Sequence, residues 1–329
     1  MNTERIEEIF ESFKNLKTMV IGDVMLDAYY FGNVERISPE APVPVVSVSS
    51  KDRRLGGAAN VALNLKGLGA DVTICSIVGN DRDGEFLKIL FEESGIDASG
   101  LITDLERPTT IKTRIIANDQ QVLRVDEEDP SNISIESEIR LVSFLKEKIE
   151  HLDVIVLQDY NKGLLSPSFI KKILAACKKY GTKVVVDPKK ENFLAYKGVD
   201  LFKPNRKEII EGLKIDSFLK TRDDIQSAIQ TLNQSLGAKR IMVTLSEDGT
   251  AISDLEDISF HPAHKRKVVD VSGAGDSVIS VAALCIALDL EAADIAFLSN
   301  LAGGLVCERV GVVPVDKTRL FKEAVQLNN

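Results

Sequence analysis

Apolar residues in this chain follow two rhythms. Ile6, Ile9, Phe10, Phe13 and Leu16 recur three or four positions apart, so residues 3–16 are predicted to form an amphipathic helix. "TMVIGD" (18–23) then reads as a buried strand ending in a Gly-Asp turn. The β-rich runs "VPVVSVS" (43–49) and "TTIKTRII" (109–116) follow, and "QVLRVD" (121–126) is placed to pair with the latter across the polar "ANDQ" turn. Between them lie "LGGAANVALNLKGLGA" (55–70), a Gly-rich turn into a helix, and "DVTICSIVG" (71–79), a strand.

From about residue 135 the rhythm becomes regular. A helix at 135–150 precedes the strand "DVIVLQD" (153–159), and Ser166-Pro167 opens another helix with Ser as cap and Pro in the first turn. "TKVVVDP", "VDLFKPN" and "AKRIMVTLS" read as further strands, with helices at 205–213 and 221–236 between them. "KVVDV" (267–271) is strand-like and precedes a long apolar helix, and another helix spans 291–308. Alternation of this kind predicts an α/β fold with a mostly parallel sheet covered on both faces. Ligands then bind beyond the carboxyl ends of the strands, where Asp23, Asp159, Asp187, Asn205 and Ser246 fall. The β-rich pieces at 28–48 and 107–126 break the rhythm and are expected to form a small projecting sheet, a lid.

Composition narrows the function. Hydrophobic residues make up 44% of the 329 and charged residues 28%, which fits a globular chain with a real core. The formal charge is 41 − 50 = −9 with no long basic run, which argues against a nucleic-acid partner. Cys75, Cys177, Cys285 and Cys307 are widely spaced in apolar segments and predict neither zinc nor disulfides. Residues 3–17 are charged rather than a leader, and no apolar run approaches the roughly 20 residues that span a bilayer. No membrane association and a cytoplasmic location are therefore expected.

Three motifs carry candidate chemistry. "SGAGD" (272–276) puts a glycine turn at a helix start, where converging amides and the helix dipole favour a phosphate, and Asp276 would sit beside it as a proton acceptor. Equally, Ser272 could cap the helix and Asp276 merely complement its dipole. "GGAANVALNL" offers Gly56 and Gly57 for close ligand approach and Asn60 as donor and acceptor, or else an ordinary turn into a packing helix. "KPNRKE" sets Asn205 and Glu208 three apart, suited to a phosphate oxygen and to Mg²⁺ through water, or to a plain capping box. There is no G-K dipeptide and hence no Walker A loop, and "GDVMLD" replaces the glycine fingerprint of a nicotinamide site. "HPAH" (261–264) departs from the H-x-G-H of nucleotidyltransferases and reads as a structural edge segment leading into the strand before Asp270.

In this order the motifs resemble the ribokinase-like (PfkB) family of sugar kinases over about residues 15–320. "VIGDVMLDAYYFGNVERISPEAPVPVVSV", "KTRIIANDQQVLRVD", "DYNKGLLS", "VVVDPK" and "DVSGAGDSVI" resemble the branch of that family acting on heptose 7-phosphate, "RISPEAPVPV" being the most specific segment. The resemblance implies a three-layer α/β kinase domain over 1–329 with the β lid. It implies ATP-dependent phosphorylation of C1 of D-glycero-D-manno-heptose 7-phosphate to the 1,7-bisphosphate, towards ADP-heptose and lipopolysaccharide core. Asp276 takes the place of the catalytic base, with Gly273, Ala274 and Gly275 as the anion hole. Asn205, Glu208, Ser246, Gly249 and Asn300 fall at ATP positions, with Mg²⁺ held at Glu208 through water. Asp27, Gly56, Gly57 and Asn60 fall at sugar positions, and Lys112, Arg114, Arg124, Lys162 and Lys189 are candidates for the distal phosphate, although lysines also blunt strand edges. A monovalent cation, K⁺, near Asp270 is common in the wider family.

The resemblance further implies a homodimer through paired lids. No second catalytic domain follows residue 329 in this sequence, so adenylyl transfer is expected from a separate nucleotidyltransferase. Several positions depart from the pattern. Ser272 and Ser277 stand for threonines, "QDY" for "SDY", and Asn118 for an arginine at the lid turn, which removes a positive charge near the distal phosphate. Two other functions stay open: a kinase of the same family for another sugar or sugar phosphate, and a non-catalytic sugar-phosphate-binding protein.

Overall fold

The computed structural model describes residues 1–118, 120–215, 218–254 and 257–328. Its strands are β1 (Lys17–Gly22), β2 (Val24–Ile37), β3 (Pro44–Gly57), β4 (Asp71–Gly79), β5 (Asp97–Asp104), β6 (Ile111–Ala117) and β7 (Gln120–Glu127), then β8 (Val154–Gln158), β9 (Lys183–Asp187), β10 (Leu201–Phe202), β11 (Arg240–Thr244), β12 (Thr250–Asp254) and β13 (Asp257–His261). The helices are α1 (Thr3–Ser12), α2 (Ala58–Leu68), α3 (Arg82–Glu93), α4 (Ile135–Lys148) and α5 (Pro167–Tyr180), then α6 (Arg206–Leu213), α7 (Arg222–Leu236), α8 (Ala274–Ala287), α9 (Ala292–Val306) and α10 (Lys317–Asn328).

Nine strands form one sheet in the order β13-β12-β11-β10-β9-β8-β1-β4-β5. From β5 to β11 every pairing is parallel, and β12 and β13 add antiparallel strands at one edge. Alternation along each strand explains the layers. Val20 of β1 and Val154 and Val156 of β8 face one core with α1, α2, α8, α9 and α10. Met19, Ile21, Ile155 and Leu157 point the other way, into a core closed by α4, α5 and α7. β1 lies between β4 and β8, so the chain leaves β1 towards one edge and later returns on its other side. That switch point lies where Asp23 and the residues after β8 emerge.

A second sheet of four strands runs β3-β2-β6-β7. It uses Val24–Ile37 and Pro44–Gly57, more than the 28–48 expected, because β2 and β3 pair antiparallel from Val24–Gly57 to Ile37–Pro44. β6 and β7 pair as predicted across a turn in which Asn118 takes φ 50°.

Two expectations fail. "KVVDV" is not a strand: the amides of Val269 and Asp270 donate to the carbonyl of Cys307 beyond α9, so the segment docks on a helix end instead of a sheet. "HPAH" therefore leads into no strand; His261 ends the edge strand β13 and the next residues are irregular. "VDLFKPN" shrinks to the two residues of β10, because Lys203-Pro204-Asn205 already turns towards α6.

Candidate active site

Helix α8 is apolar on all sides and buried between the sheet and α9, so its direction is fixed by the core. Its first turn meets the surface: Gly275 and Ser272 are exposed, and Gly273 and Ala274 partly so. No side chain caps this helix. Ser272 instead turns its hydroxyl to Asp270 (2.8 Å), and Gly273 stands at the cap with φ 78°, a backbone that residues with side chains rarely adopt. The Ala274 amide is engaged by a turn to Val271 O (3.3 Å). The first-turn amides of α8 have no carbonyl four residues back, so the exposed turn has the character of an anion cradle.

Asp276 lies directly beneath, with 8% of its surface accessible. Asn60 Nδ2 donates to its Oδ2 at 2.6 Å, while the Tyr160 hydroxyl (2.8 Å) and Gln158 Nε2 (3.4 Å) donate to Oδ1. Burial pushes the Asp276 carboxyl up to about 6 despite the Asn60 bond, and Asp187 pushes the same way. Burial and the neighbouring Asp276 also hold the Tyr160 phenol well above its ordinary value, so it stays a donor. Asp187, at the end of β9, is bound by Gln158 Nε2 (3.2 Å) and by the buried Lys203 (3.1 Å). A Cβ placed on Gly275 would lie 3.9 Å from both Asp187 Oδ2 and Lys203 Nζ, so this pair borders the turn.

Asn205 and Glu208 form the capping box of α6: Asn205 Oδ1 accepts from Glu208 N and Glu208 Oε2 from Asn205 N, both at 2.9 Å. Glu208 Oε1 also pairs with Lys189. Burial lowers the Lys189 ammonium, but Asp187 and Glu208 outweigh it and leave it above the ordinary lysine value. Ser246 and Gly249 lie in the β11–β12 turn, and Gly249 packs on the backbone of 261–263. Asn300 on α9 donates to Pro262 O (2.9 Å), so Gly249 and Asn300 border one loop, with Ser246 joined to it through the Gly249 amide (3.1 Å).

Asp27 on β2 pairs with Arg114 on β6. Gly56 is required beside them, since a Cβ there would stand 2.2 Å from Asp27 Oδ2; Gly57 follows as the cap of α2. Lys112 binds Asp126 (3.0 Å) and Glu128 (3.4 Å), Lys162 binds Glu128 (2.6 Å), and Arg124 binds Asp126 (2.9 Å). Three candidate phosphate cations thus share two carboxylates. Asp270 ties two loops, accepting from Ser272 N (2.9 Å), Ser272 Oγ and Gly311 N (2.8 Å), which together outweigh its burial and lower its pKa. The Val271 amide also lowers the Asp270 pKa, so this carboxylate is held ionised by donors on both sides of the turn.

Among the described residues no group of three or more His, Cys, Asp or Glu could hold a metal. Asp187 and Glu208, each beside a lysine, fit a magnesium ion that arrives on nucleotide phosphates, because Mg²⁺ commonly takes only one or two protein carboxylates. Sequence reasoning assigned no role to Gln158, Tyr160, Lys203 or Glu128. Gln158 and Tyr160 could have been found from strand period alone, being two apart at the end of β8.

A family model described as pfkB family carbohydrate kinase matches residues 15–319. The chain is 38% identical over 324 residues to the bifunctional protein HldE of Geotalea uraniireducens, covering 98% of this chain and 66% of that one. It is 41% identical over 315 residues to the bifunctional protein HldE of Campylobacter jejuni strain RM1221, covering 95% and 66%. It therefore spans about two thirds of the length of these relatives. Phosphofructokinase-2 from Escherichia coli, in complex with potassium, superposes with a TM-score of 0.79 at 20% identity over 95% of this chain and 99% of that one. Arabidopsis thaliana ribokinase, complexed with ribose and ATP, gives 0.72 at 18% over 93% and 99%. At these identities the likeness shows a shared fold.

Proposed function

The chain belongs to the pfkB family of carbohydrate kinases, and from that premise we propose that it transfers the γ-phosphoryl group of ATP to the C1 hydroxyl of a heptose 7-phosphate. The observation that carries this reading is Asp276, a buried carboxylate with a raised pKa under the exposed first turn of α8. A base with a pKa near 6 is ionised at neutral pH yet basic enough to accept a proton.

In the proposed reaction the sugar hydroxyl displaces a resting donor and gives its proton to Asp276. The sugar oxygen bonds to the γ-phosphorus as the bond to the β–γ bridging oxygen breaks, and ADP leaves. The turn at 273–275 and the helix dipole stabilise charge on the transferring group, and Lys203 adds a fixed cation beside it. Magnesium on the phosphates supplies charge neutralisation when bound, with Glu208 reaching it through water. Ser246, Gly249 and Asn300 are assigned to the nucleotide. Asp27, Gly56, Gly57 and Asn60 are assigned to the sugar under the small sheet acting as lid, with residues 1–329 working as one kinase unit.

Lys112, Lys162 and Arg124 are assigned to the 7-phosphate, which must displace Asp126 and Glu128 from them. Arg114 and Lys189 reach it only by releasing Asp27 and Glu208. K⁺ near the ionised Asp270 is part of the same proposal, tested by potassium dependence of turnover. Exposed Val122, Leu123 and Val125 on β7 support a homodimer through the small sheets. Adenylyl transfer is assigned to a nucleotidyltransferase outside residues 1–329. Among the described residues no helix is long and apolar enough to cross a membrane; the cytoplasm is the proposed location.

A coupled ADP-release assay over heptose 7-phosphate, ribose, fructose and fructose 6-phosphate tests the substrate. Turnover of heptose 7-phosphate alone is expected, and activity only on an unphosphorylated sugar would overturn the assignment. A different sugar phosphate is the second reading, favoured by Asn118 standing in the β6–β7 turn.

A further inference from the structure

Both oxygens of Asp276 are held, but by different kinds of partner. Oδ1 takes two donors from a single strand end, Gln158 and Tyr160, whose side chains are two apart on β8 and its extension. Oδ2 takes one donor, Asn60, from the first turn of α2.

The Oδ1 partners are braced from behind. Asp23, at the end of β1, accepts from the backbone amides of Tyr160 (3.0 Å), Lys162 (3.1 Å) and Leu164 (3.2 Å), which fixes the loop carrying Tyr160. Asp159 points away and is tied to the Tyr196 hydroxyl (2.7 Å) and to Asn161 N (2.8 Å). Gln158, 1% exposed, spans Asp276 and Asp187, and Asp187 is anchored in turn by Lys203. We propose that Gln158 and Tyr160 are positioning residues that clamp Oδ1 of Asp276 and thereby reserve Oδ2 for the sugar hydroxyl.

Asn60 is then the resting occupant of Oδ2, and its amide yields that oxygen when the hydroxyl arrives. Asn60 Nδ2 also lies under the phosphate turn, 3.2 Å from where a Cβ on Gly273 would stand. The exchange therefore takes place beneath the phosphoryl cradle. A carboxylate free to rotate would lose the alignment that proton transfer needs. The inference rests on the reading of Asp276 as the base.

Tyr160→Phe removes the hydroxyl while keeping the ring, which packs 5.8 Å from Lys189 Nζ. With ATP and heptose 7-phosphate, kcat is expected to fall roughly tenfold to a hundredfold, with both KM values nearly unchanged. The acid limb of the kcat profile should move to higher pH, because a donor that stabilises the ionised carboxylate is gone. The other groups facing Asp276, namely Asn60 from α2, Asp187 and Lys189 from the end of β9, and Lys203 before α6, remain in place. Gln158→Asn draws back the second donor and should shift both readouts in the same direction. Unchanged kcat with an unmoved acid limb, or a loss confined to KM, would overturn the clamp.

A second measurement needs no substrate. Carbon-13 NMR of aspartate-labelled protein follows the Asp276 carboxyl, identified by its loss in Asp276→Asn. Its midpoint should rise in Tyr160→Phe, and a midpoint that stays put would refute the clamp. If wild-type protein turns over no sugar but this midpoint rises, the kinase assignment falls and the clamp stands.

Discussion

Replacing Asp276 by Asn should make the protein more stable while abolishing its turnover. The native state buries this carboxylate, and the rise of its pKa from 3.8 to about 6 corresponds to about 3 kcal/mol of ionisation cost carried at pH 7. Asn keeps the shape and removes the charge. Its amide nitrogen must face either Asn60 or the Gln158–Tyr160 pair, a donor conflict costing about 1 kcal/mol. The expected net gain is about 2 kcal/mol, roughly 4 °C in Tm for a chain of this size.

The pH dependence distinguishes this mechanism from a general packing effect. With the folded pKa raised, the wild type has no ionisation penalty below about pH 4, acquires it as pH rises towards about 6, and carries it fully above. The Tm gap should therefore be widest at pH 7 to 8 and close progressively between about pH 6 and pH 4. Thermal unfolding of both proteins across that range gives the answer, alongside a coupled ADP assay in which the variant loses at least about 100-fold in kcat. An Asn variant no more stable than wild type at pH 7, or a pH-independent gap, would refute the argument from burial.

Wild-type kcat/KM should rise with pH across about 6, because only the ionised Asp276 accepts the proton; a profile flat from pH 5 to 8 would remove it from that role. Gly56→Ala should push Asp27 off its position and raise the sugar KM at least about tenfold without moving the ATP KM, since the new Cβ falls 2.2 Å from Asp27 Oδ2. Glu128→Gln should lower the KM for heptose 7-phosphate, since it weakens the carboxylate that holds Lys112 and Lys162; a raised KM would place the phosphate elsewhere.

Much of the fold was legible because its rules act over short stretches of chain. Ser166-Pro167 opens α5 as the motif predicts, the Ser166 hydroxyl accepting from Phe169 N at 3.2 Å. The unbroken apolar runs of β1 and β8, set in a rhythm of strands alternating with helices, announced a sheet covered on both faces, and Asn205 with Glu208 announced a capping box. The same local logic misjudged "KVVDV", whose β-branched residues look like a strand but whose amides go to a helix end nearly forty residues away. No pattern within five residues reports the presence or absence of a free strand edge.

The chemistry of the candidate site was decided by contacts that the linear sequence does not bring together. Asn60 and Asp276 stand 216 positions apart, and Tyr160 and Asp276 116 apart. The sequence by itself put a carboxylate after a glycine turn at a helix start. Only tertiary packing withdrew water from that carboxylate, set three donors around it, and paired the lid cations with Asp126 and Glu128. Helix and strand follow from neighbours along the chain, whereas the basicity of an acid follows from the dielectric and charges around it, which exist only once the chain has folded.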